Sequence, residues 1–214
     1  TFITNLNLDF NTNLMDLRCG SNLLENLTLT NNTKLTSLRF SGNQIQNVDL
    51  RENINLEYLY FSSNPLTGID LSALSELKVV YSVYNHDLQS IDFSSNTKIK
   101  EISCFQNSNL SEINIIGCVD LTYLNCRTNE LGDLDLSTNE NLQVLWCQNN
   151  KLKNLDLSKN GKLEFLKCEN NQLEQLNLRN GNNILMKGGD IVYDGILQYM
   201  VGMNATENDF LKCI

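Results

Sequence analysis

The side chains that could do chemistry in this protein are seven cysteines, one histidine and a set of regularly spaced aspartates. Thiols can form disulfides or hold zinc, and neighbouring carboxylates can hold calcium through their oxygens. The histidine, His86, has no partner at a fixed spacing, and the sequence contains no nucleophile elbow, phosphate loop or metal-binding histidine pair. We therefore expect no catalytic residue, no enzyme activity and no cofactor. The regular sets are Cys19, Cys104, Cys126, Cys147 and Cys168, and Asp49, Asp70, Asp92, Asp135 and Asp156.

Both sets follow a repeat that occupies most of the chain. The copy that begins at Leu142 reads LxxLxCxxNxLxxLDLSxNx, and copies begin every 21 or 22 residues. The extra residues of the two longer intervals fall at His86-Asp87 and Ser108-Asn109, between apolar positions. One such unit cannot bury its apolar side alone, but units stacked at strand spacing share a core. The eight copies begin at Leu14, Leu35, Leu56, Leu77, Ile99, Leu121, Leu142 and Leu163, and the next register point is Ile184.

The repeat predicts how the cysteines and aspartates are used. The five regular cysteines occupy an inward position, where stacked neighbours lie about 4.8 Å apart with parallel side chains, which suits neither a disulfide nor a tetrahedral zinc site. We expect free, buried thiols and no metal. Cys118 stands at a corner where asparagine is usual, and Cys213 lies in the C-terminal segment. Two interpretations of the aspartate column stay open, a solvated column supported by nearby serines or a calcium ion between adjacent carboxylates.

The asparagine corner and the LxxLDL half-repeat resemble the leucine-rich repeat family, and the 21-residue form is similar to its nested IRREKO subtype, common in Bacteroidetes proteins. The resemblance implies a β-rich leucine-rich repeat solenoid with a parallel sheet on one face, from segments such as 58–61 and 144–147. Short strands or extended segments are expected on the other face, with 48–50 and 155–157 as candidate strands. We assign residues 1–183 to a half repeat plus eight repeats and residues 184–214 to a C-terminal capping segment, in which 191–201 could form a short helix.

The C-terminal region also resembles known proteins. The NGNN run at 180–183 and the segment 203–214 are similar to the end of many flavobacterial repeat proteins, although an insertion separates the two pieces here. The resemblance implies a bacterial exported protein, at the cell surface or extracellular, with signal and sorting segments outside this chain. No apolar run approaches the roughly 20 residues that span a bilayer. A net charge of −9 argues against a nucleic-acid partner.

The copies differ most at the positions between the inward residues of LxxLxC, where side chains point away from the core. Copies three to eight place aromatic residues there, with basic residues at the rim, which is typical of a contact surface. Aromatic residues also stabilise sheets, so a structural role for part of them is the alternative. The predicted partner-binding residues are Tyr58, Tyr60, Tyr81, Tyr84, Phe105, Tyr123, Arg127, Trp146 and Phe165.

Three functions are compatible with this face. The first is a non-catalytic binding or adhesion module that recognises a protein through aromatic anchors. The second is a glycan-binding module in which sugars stack on the same rings and bond to Asn125, Gln148 and Arg127. The third is a passive spacer for another domain. We favour the protein partner.

Overall fold

The structure is a computed structural model that describes residues 2–181, 189–193, 196–200, 203–204 and 207–208. Within these residues the backbone forms short strands and no helix. In chain order the strands are β1 Asp16–Arg18, β2 Ser37–Arg39, β3 Tyr58–Tyr60, β4 Val79–Tyr81, β5 Ser90–Asp92, β6 Glu101–Ser103, β7 Glu112–Asn114, β8 Tyr123–Asn125, β9 Val144–Trp146, β10 Asn154–Asp156, β11 Phe165–Lys167, β12 Gln175–Asn177, β13 Gly189–Tyr193, β14 Ile196–Met200 and β15 Met203–Asn204.

One strand from each copy lies in a parallel main sheet, in the order β1-β2-β3-β4-β6-β8-β9-β11-β15. From β1 to β11, each residue pairs with the residue 21 or 22 positions later, as Asp16 does with Ser37 and Glu101 with Tyr123. The hydrophobic pattern fixes this register, because a slip of one residue would turn every inward leucine outward. The predicted parallel sheet, including its segments at 58–61 and 144–147, is confirmed.

The opposite side of the coils is paired only in places. Among the described residues, β5 pairs with β7 and β10 pairs with β12, so the expected strand near 155–157 is present. The expected strand at 48–50 is not, and that prediction was wrong. There the coils are joined by side-chain amides instead, since Asn53 Nδ2 donates to Leu29 O at 3.1 Å and to Asn32 O at 3.0 Å.

The helix suggested for 191–201 is also wrong, because β13 and β14 form an antiparallel hairpin there. The Ile, Val and Tyr residues of this segment favour strands, and the dipeptide between the two strands, Asp194-Gly195, is typical of two-residue hairpin turns.

The ninth strand of the main sheet comes from beyond this hairpin. Met203 pairs with Leu166, a separation of 203 − 166 = 37 residues, whereas the repeat would place the next strand 21 residues on. The register point expected at Ile184 lies outside the described residues. After β15, Asn208 takes the corner position, since its Nδ2 donates to Cys168 O at 3.0 Å and its Oδ1 accepts from Leu173 N at 3.1 Å.

The corner asparagines tie each coil to the one before it. Asn129 Nδ2 donates to Cys126 O in its own coil and to Cys104 O in the preceding coil, both at 2.9 Å. Its Oδ1 accepts from Asn107 N at 2.9 Å. The residue before the corner often has a left-handed backbone, as at Tyr84 and Thr128, with φ of 58° and 57°. Such a turn leaves backbone groups without local partners, and the asparagine amide satisfies them.

The inward positions form one continuous core in which leucines such as Leu38, Leu59 and Leu145 are fully buried. The prediction of free, buried thiols is confirmed for the described cysteines, and burial raises the pKa of Cys126 and of Cys168 to about 12. Cys118 replaces a corner asparagine on the opposite side, and its Sγ lies 3.4 Å from Phe93 O. Cys213 lies outside the described residues.

The aspartates of the column accept hydrogen bonds within their own coils. Asp135 Oδ1 accepts from Ser137 N at 2.9 Å, and Asp156 Oδ1 accepts from Ser158 N at 2.8 Å. Hydrogen bonds to the serines two residues on lower the pKa of both carboxyls. The hydrogen bond from the Arg51 side chain lowers the pKa of Asp49 to about 2. These hydrogen bonds give the repeated aspartates a structural role in the turns.

Replacing Asn129 by alanine should destabilise the protein strongly, because two carbonyls and one N–H would lose their partner inside the core. Since each buried orphan costs about 1–3 kcal/mol, we expect a total loss of about 3 kcal/mol or more. The measurement is the free energy of unfolding from urea titration. Asn55→Ala is the matched control, because Asn55 is exposed and donates one bond, to Thr33 O at 3.0 Å. If Asn129→Ala loses no more free energy of unfolding than Asn55→Ala does, the corner asparagine does not stabilise the coils as described.

Stability should also fall at acid pH. The folded-state pKa of Asp70, Asp135 and Asp156 is lowered, so their contribution is present above the unfolded value of 3.8 and is lost as pH falls through the lower folded values. We expect a level urea midpoint above about pH 5 and a decline below about pH 4. The three carboxyls are exposed, so the effect is small.

The control for this pH dependence is already present in the column. Asn114 and Asn177 occupy it and accept the same turn bonds, from Ile116 N at 3.2 Å and Arg179 N at 3.1 Å. A triple Asp→Asn variant at 70, 135 and 156 should therefore keep the turns and reduce the acid decline, and Asp49, whose pKa is also lowered, should account for part of what remains. If the urea midpoint of the triple variant declines as that of the wild type does, other carboxyls cause the decline.

Candidate functional site

The outer face of the main sheet divides into two halves. Its N-terminal half carries a stack of three planar groups from adjacent strands. Arg39 Cζ lies 4.2 Å from the centre of the Tyr60 ring, and the Tyr60 and Tyr81 rings lie 5.0 Å apart with an angle of 9° between their planes. Strand register places these residues directly opposite one another, which is why the groups stack. We call Arg39, Tyr60 and Tyr81 the planar stack.

The surroundings of the planar stack remain accessible. The three members are half-buried, and Tyr58, at the neighbouring outward position of β3, is 37% exposed. At the N-terminal end of the face, Arg18 and Asp16 form an exposed ion pair at 2.9 Å. This half therefore presents a flat aromatic surface with cationic groups beside it.

The rim near the two insertions holds a second aromatic group. Tyr84 is 46% exposed, and its ring lies 6.5 Å from that of Phe105 and 6.1 Å from that of His86, in edge-on arrangements. The Arg127 guanidinium lies 3.9 Å from the centre of the Phe105 ring. Burial lowers the pKa of Arg127. The predicted residues Tyr84, Phe105 and Arg127 thus lie together.

The C-terminal half of the outer face is buried, contrary to the sequence prediction. Tyr123, Trp146 and Phe165 retain only 4%, 6% and 7% of their exposure, and with Val144 they form a cluster separate from the main core. We call these four residues the aromatic patch. The rings pack on one another, as Tyr123 and Trp146 do at 5.7 Å, and Arg127 and Lys167 lie over the Trp146 ring at 5.4 and 5.3 Å. Sequence reasoning treated each outward position alone and missed this packing.

Two of the polar residues proposed for glycan contacts are also buried. Asn125 and Gln148 are 2% and 7% exposed, and Asn125 Nδ2 donates to Tyr123 Oη at 3.3 Å. They are not available on the surface as the glycan hypothesis required. Of the predicted residues, the structure therefore brings together a half-buried pair of Tyr60 and Tyr81 with Tyr58 nearby, a rim group, and a buried patch.

A groove that the sequence analysis missed runs along the corner turns. It has a volume of about 360 Å³, and its lining residues come from four successive coils and include both insertions. Among its lining residues, His86 Nδ1 and Ser108 Oγ lie 3.1 Å apart, at hydrogen-bond distance. The signal was present in the sequence, because both insertions fall here. The lining residues are Tyr84, His86, Gln106, Ser108, Thr128, Asn129, Glu130 and Asn149.

Two further properties concern metals and membranes. In the part of the chain that the structure describes, no group of three or more His, Cys, Asp or Glu residues is placed to hold a metal ion. Across the same residues, we find no helix with the length and apolar character of a membrane span.

No protein-family model matches the sequence, and no curated protein matches it. Solved structures do. The functional domain of InlJ from Listeria monocytogenes, which includes a cysteine ladder, is 28% identical with a TM-score of 0.66, covering 100% of this chain and 48% of that one. The APL1 leucine-rich repeat domain is 25% identical with a TM-score of 0.66, covering 83% and 49%.

Toll in the Toll–Spatzle complex of Drosophila is 16% identical with a TM-score of 0.54, covering 83% of this chain and 33% of that one, a likeness of fold alone. The present chain spans about half the length of the InlJ and APL1 chains that it matches. The parallel sheet, the corner asparagines and these likenesses together show that the chain has the leucine-rich repeat solenoid fold.

Proposed function

We propose that this chain is a non-catalytic binding module that recognises a protein partner through the N-terminal half of its outer face. The planar stack of Arg39, Tyr60 and Tyr81 carries the proposal, with Tyr58 and the rim residues Tyr84, Phe105 and Arg127 as further contacts. Tyrosine and arginine are the residue types that dominate binding energy at protein interfaces. The coil register already orders the stack, so little conformational entropy is lost on binding.

The burial of Tyr123, Trp146 and Phe165 narrows the proposed surface. These residues contact a partner only if the patch is uncovered, so we assign them no direct contact in the state described. The solved complex of Toll with Spatzle is consistent with a protein ligand only at the level of fold. Fold alone does not transfer a partner, and the proposal therefore depends on the planar stack.

The groove beside Tyr84 favours a second candidate, a glycan ligand. An exposed aromatic ring together with the amides of Gln106 and Asn149 and the Thr128 hydroxyl offers stacking and hydrogen bonds to sugar hydroxyls. This candidate uses the groove at the rim and does not need the aromatic patch. A passive spacer is the remaining alternative, and it predicts no specific ligand.

We further propose the setting that the sequence resemblance implies. The protein is a bacterial, exported adhesion module of the nested 21-residue subtype, at the cell surface or extracellular. Residues 184–214 are proposed as the cap of the solenoid formed by 1–183, which is supported by the corner bonds of Asn208 to Cys168 and Leu173.

The test is binding of the purified chain to arrays of purified extracellular proteins and of glycans. For a protein hit, the double variant Tyr60→Ala/Tyr81→Ala should lose at least about 2 kcal/mol of binding free energy, roughly 30-fold in Kd. Arg39→Lys should also weaken binding, because lysine keeps the charge but loses the planar stacking.

The matched control is Ile116→Ala, since Ile116 is 47% exposed on the opposite side of the coils. Circular dichroism verifies that each variant keeps the sheet. If the folded double variant binds the identified protein as the wild type does, the planar stack is not the site. Hits with purified sugars alone that depend on Tyr84 would favour the glycan candidate.

A further inference from the structure

The groove at the rim lies along the column of corner residues whose backbone is left-handed. One residue of each coil takes this conformation. Four consecutive members of the column line the groove, namely Tyr84, Gln106, Thr128 and Asn149. Because every coil makes the same turn, their side chains leave the backbone in the same direction. The groove therefore contains a row of four side chains along the axis of the solenoid, one from each coil.

Two members of this row have residue types that the turn disfavours. A left-handed backbone crowds the side chain of any residue other than glycine, and most of all that of a bulky or β-branched residue. Tyr84 and Thr128 nevertheless have φ of 58° and 57°. Gly42 and Ser63 make the same turn outside the groove, so folding does not require an aromatic or branched side chain there. Residues in such strained conformations cluster at ligand-binding sites.

Tyr84 supplies an accessible aromatic ring at one end of the row. The residue is 46% exposed. The rings of Phe105 and His86 are each inclined at 65° to the Tyr84 ring, so neither is stacked parallel to it. The negative face of an aromatic ring attracts weakly positive C–H groups, such as those on the flat side of a sugar ring. Tyr84 is therefore suited to contact one sugar unit.

The other members of the row carry uncharged hydrogen-bonding groups. Gln106 and Asn149 each have an amide that can donate and accept, and Thr128 has a hydroxyl. Glu130, the carboxylate of the lining, forms an ion pair with Lys151. The lining residues other than Tyr84 are polar, so they form no apolar pocket for the anchor residue of a peptide. This composition fits a neutral ligand that is rich in hydroxyl groups.

We propose that the groove binds a neutral, extended oligosaccharide that runs along the stack of coils. Successive coils lie about 4.8 Å apart, so the row of four side chains spans about 14 Å. One hexose unit of an extended glycan is similar in length to one coil spacing, so about three units fill the row. One sugar ring contacts Tyr84, and the following units form hydrogen bonds with Gln106, Thr128 and Asn149.

This inference names the class of sugar for the glycan candidate of the proposed function, and it rests on that candidate. It does not involve the planar stack, which lies on the outer face of the main sheet and not on the corner turns. A protein partner and a glycan would therefore occupy different parts of the solenoid. Each site can be tested by itself, and either can fail without the other.

The test uses three extended neutral glycans, cellohexaose, mannohexaose and chitohexaose. Maltohexaose is the helical counterpart, and hexagalacturonate is the acidic one. Binding to the purified chain is measured by isothermal titration calorimetry and by saturation-transfer NMR. We expect at least one of the three extended neutral glycans to bind. Maltohexaose and hexagalacturonate should bind at least about tenfold more weakly, because they lose hydrogen bonds along the row.

The variant Tyr84→Asn removes the aromatic ring but keeps a residue type that this turn accepts, as Asn170 shows in the same column. It should weaken binding of the neutral glycan at least about tenfold. Ser63→Asn is the matched control, since Ser63 occupies the same column one coil earlier and does not line the groove. This control should bind as the wild type does. Circular dichroism verifies that both variants are folded.

The double variant Tyr60→Ala/Tyr81→Ala separates the groove from the planar stack, and it should bind the neutral glycan as the wild type does. The inference is overturned if none of the three extended neutral glycans binds, or if folded Tyr84→Asn binds them as tightly as the wild type. Loss of glycan binding in the folded double variant would also overturn it, because the site would then lie on the outer face. Tighter binding of hexagalacturonate that depends on Tyr84 would keep a glycan site but contradict a neutral ligand.

Discussion

The fold depends on the in-register asparagine amide at the corner of each coil. A left-handed turn there leaves backbone groups that neither strand can satisfy, and one side chain bonds to its own coil and to the coil before it. The main-sheet strands are only two or three residues long, so few backbone bonds join any two of them. The amide therefore supplies much of what keeps successive coils in register. This bonding tolerates insertions between the asparagine and the next apolar position, such as those near His86 and Ser108. Such insertions do not move the asparagine or the carbonyls to which it donates.

The fixed register of the coils also determines how side chains are arranged on the outer face of the main sheet. Once register is fixed, each outward position becomes a straight column whose members lie about 4.8 Å apart, close to the spacing of stacked planar groups. Arg39, Tyr60 and Tyr81 stack because three consecutive copies place flat side chains in one column. The glutamate and serine of β6 interrupt the aromatic columns. The repeat therefore sets the geometry of a contact surface, while the residues that vary between copies set its chemistry.

Much of this could be predicted from the sequence, because periodicity constrains nearest neighbours. Strand register, the inward thiols and the outward columns all follow from a residue's position in the repeat. The strand at 48–50 was predicted wrongly, since the sequence pattern there resembles that at 154–156 while the inter-coil bonds are made by Asn53 instead. The exposure of Tyr123, Trp146 and Phe165 was mispredicted for a different reason. It depends on packing between side chains of different copies, about which a local pattern carries no information.

Burying the aromatic patch has both a cost and a gain in free energy. Placing an indole N–H and an amide oxygen out of water without partners costs free energy, of order 1–3 kcal/mol for each group. Burying Val144, Phe165 and the rings of Tyr123 and Trp146 returns about 1.5–3 kcal/mol for each large apolar side chain, so covering the patch remains favourable overall. The gain from burying these four side chains therefore offsets the cost of the two polar groups that lack partners.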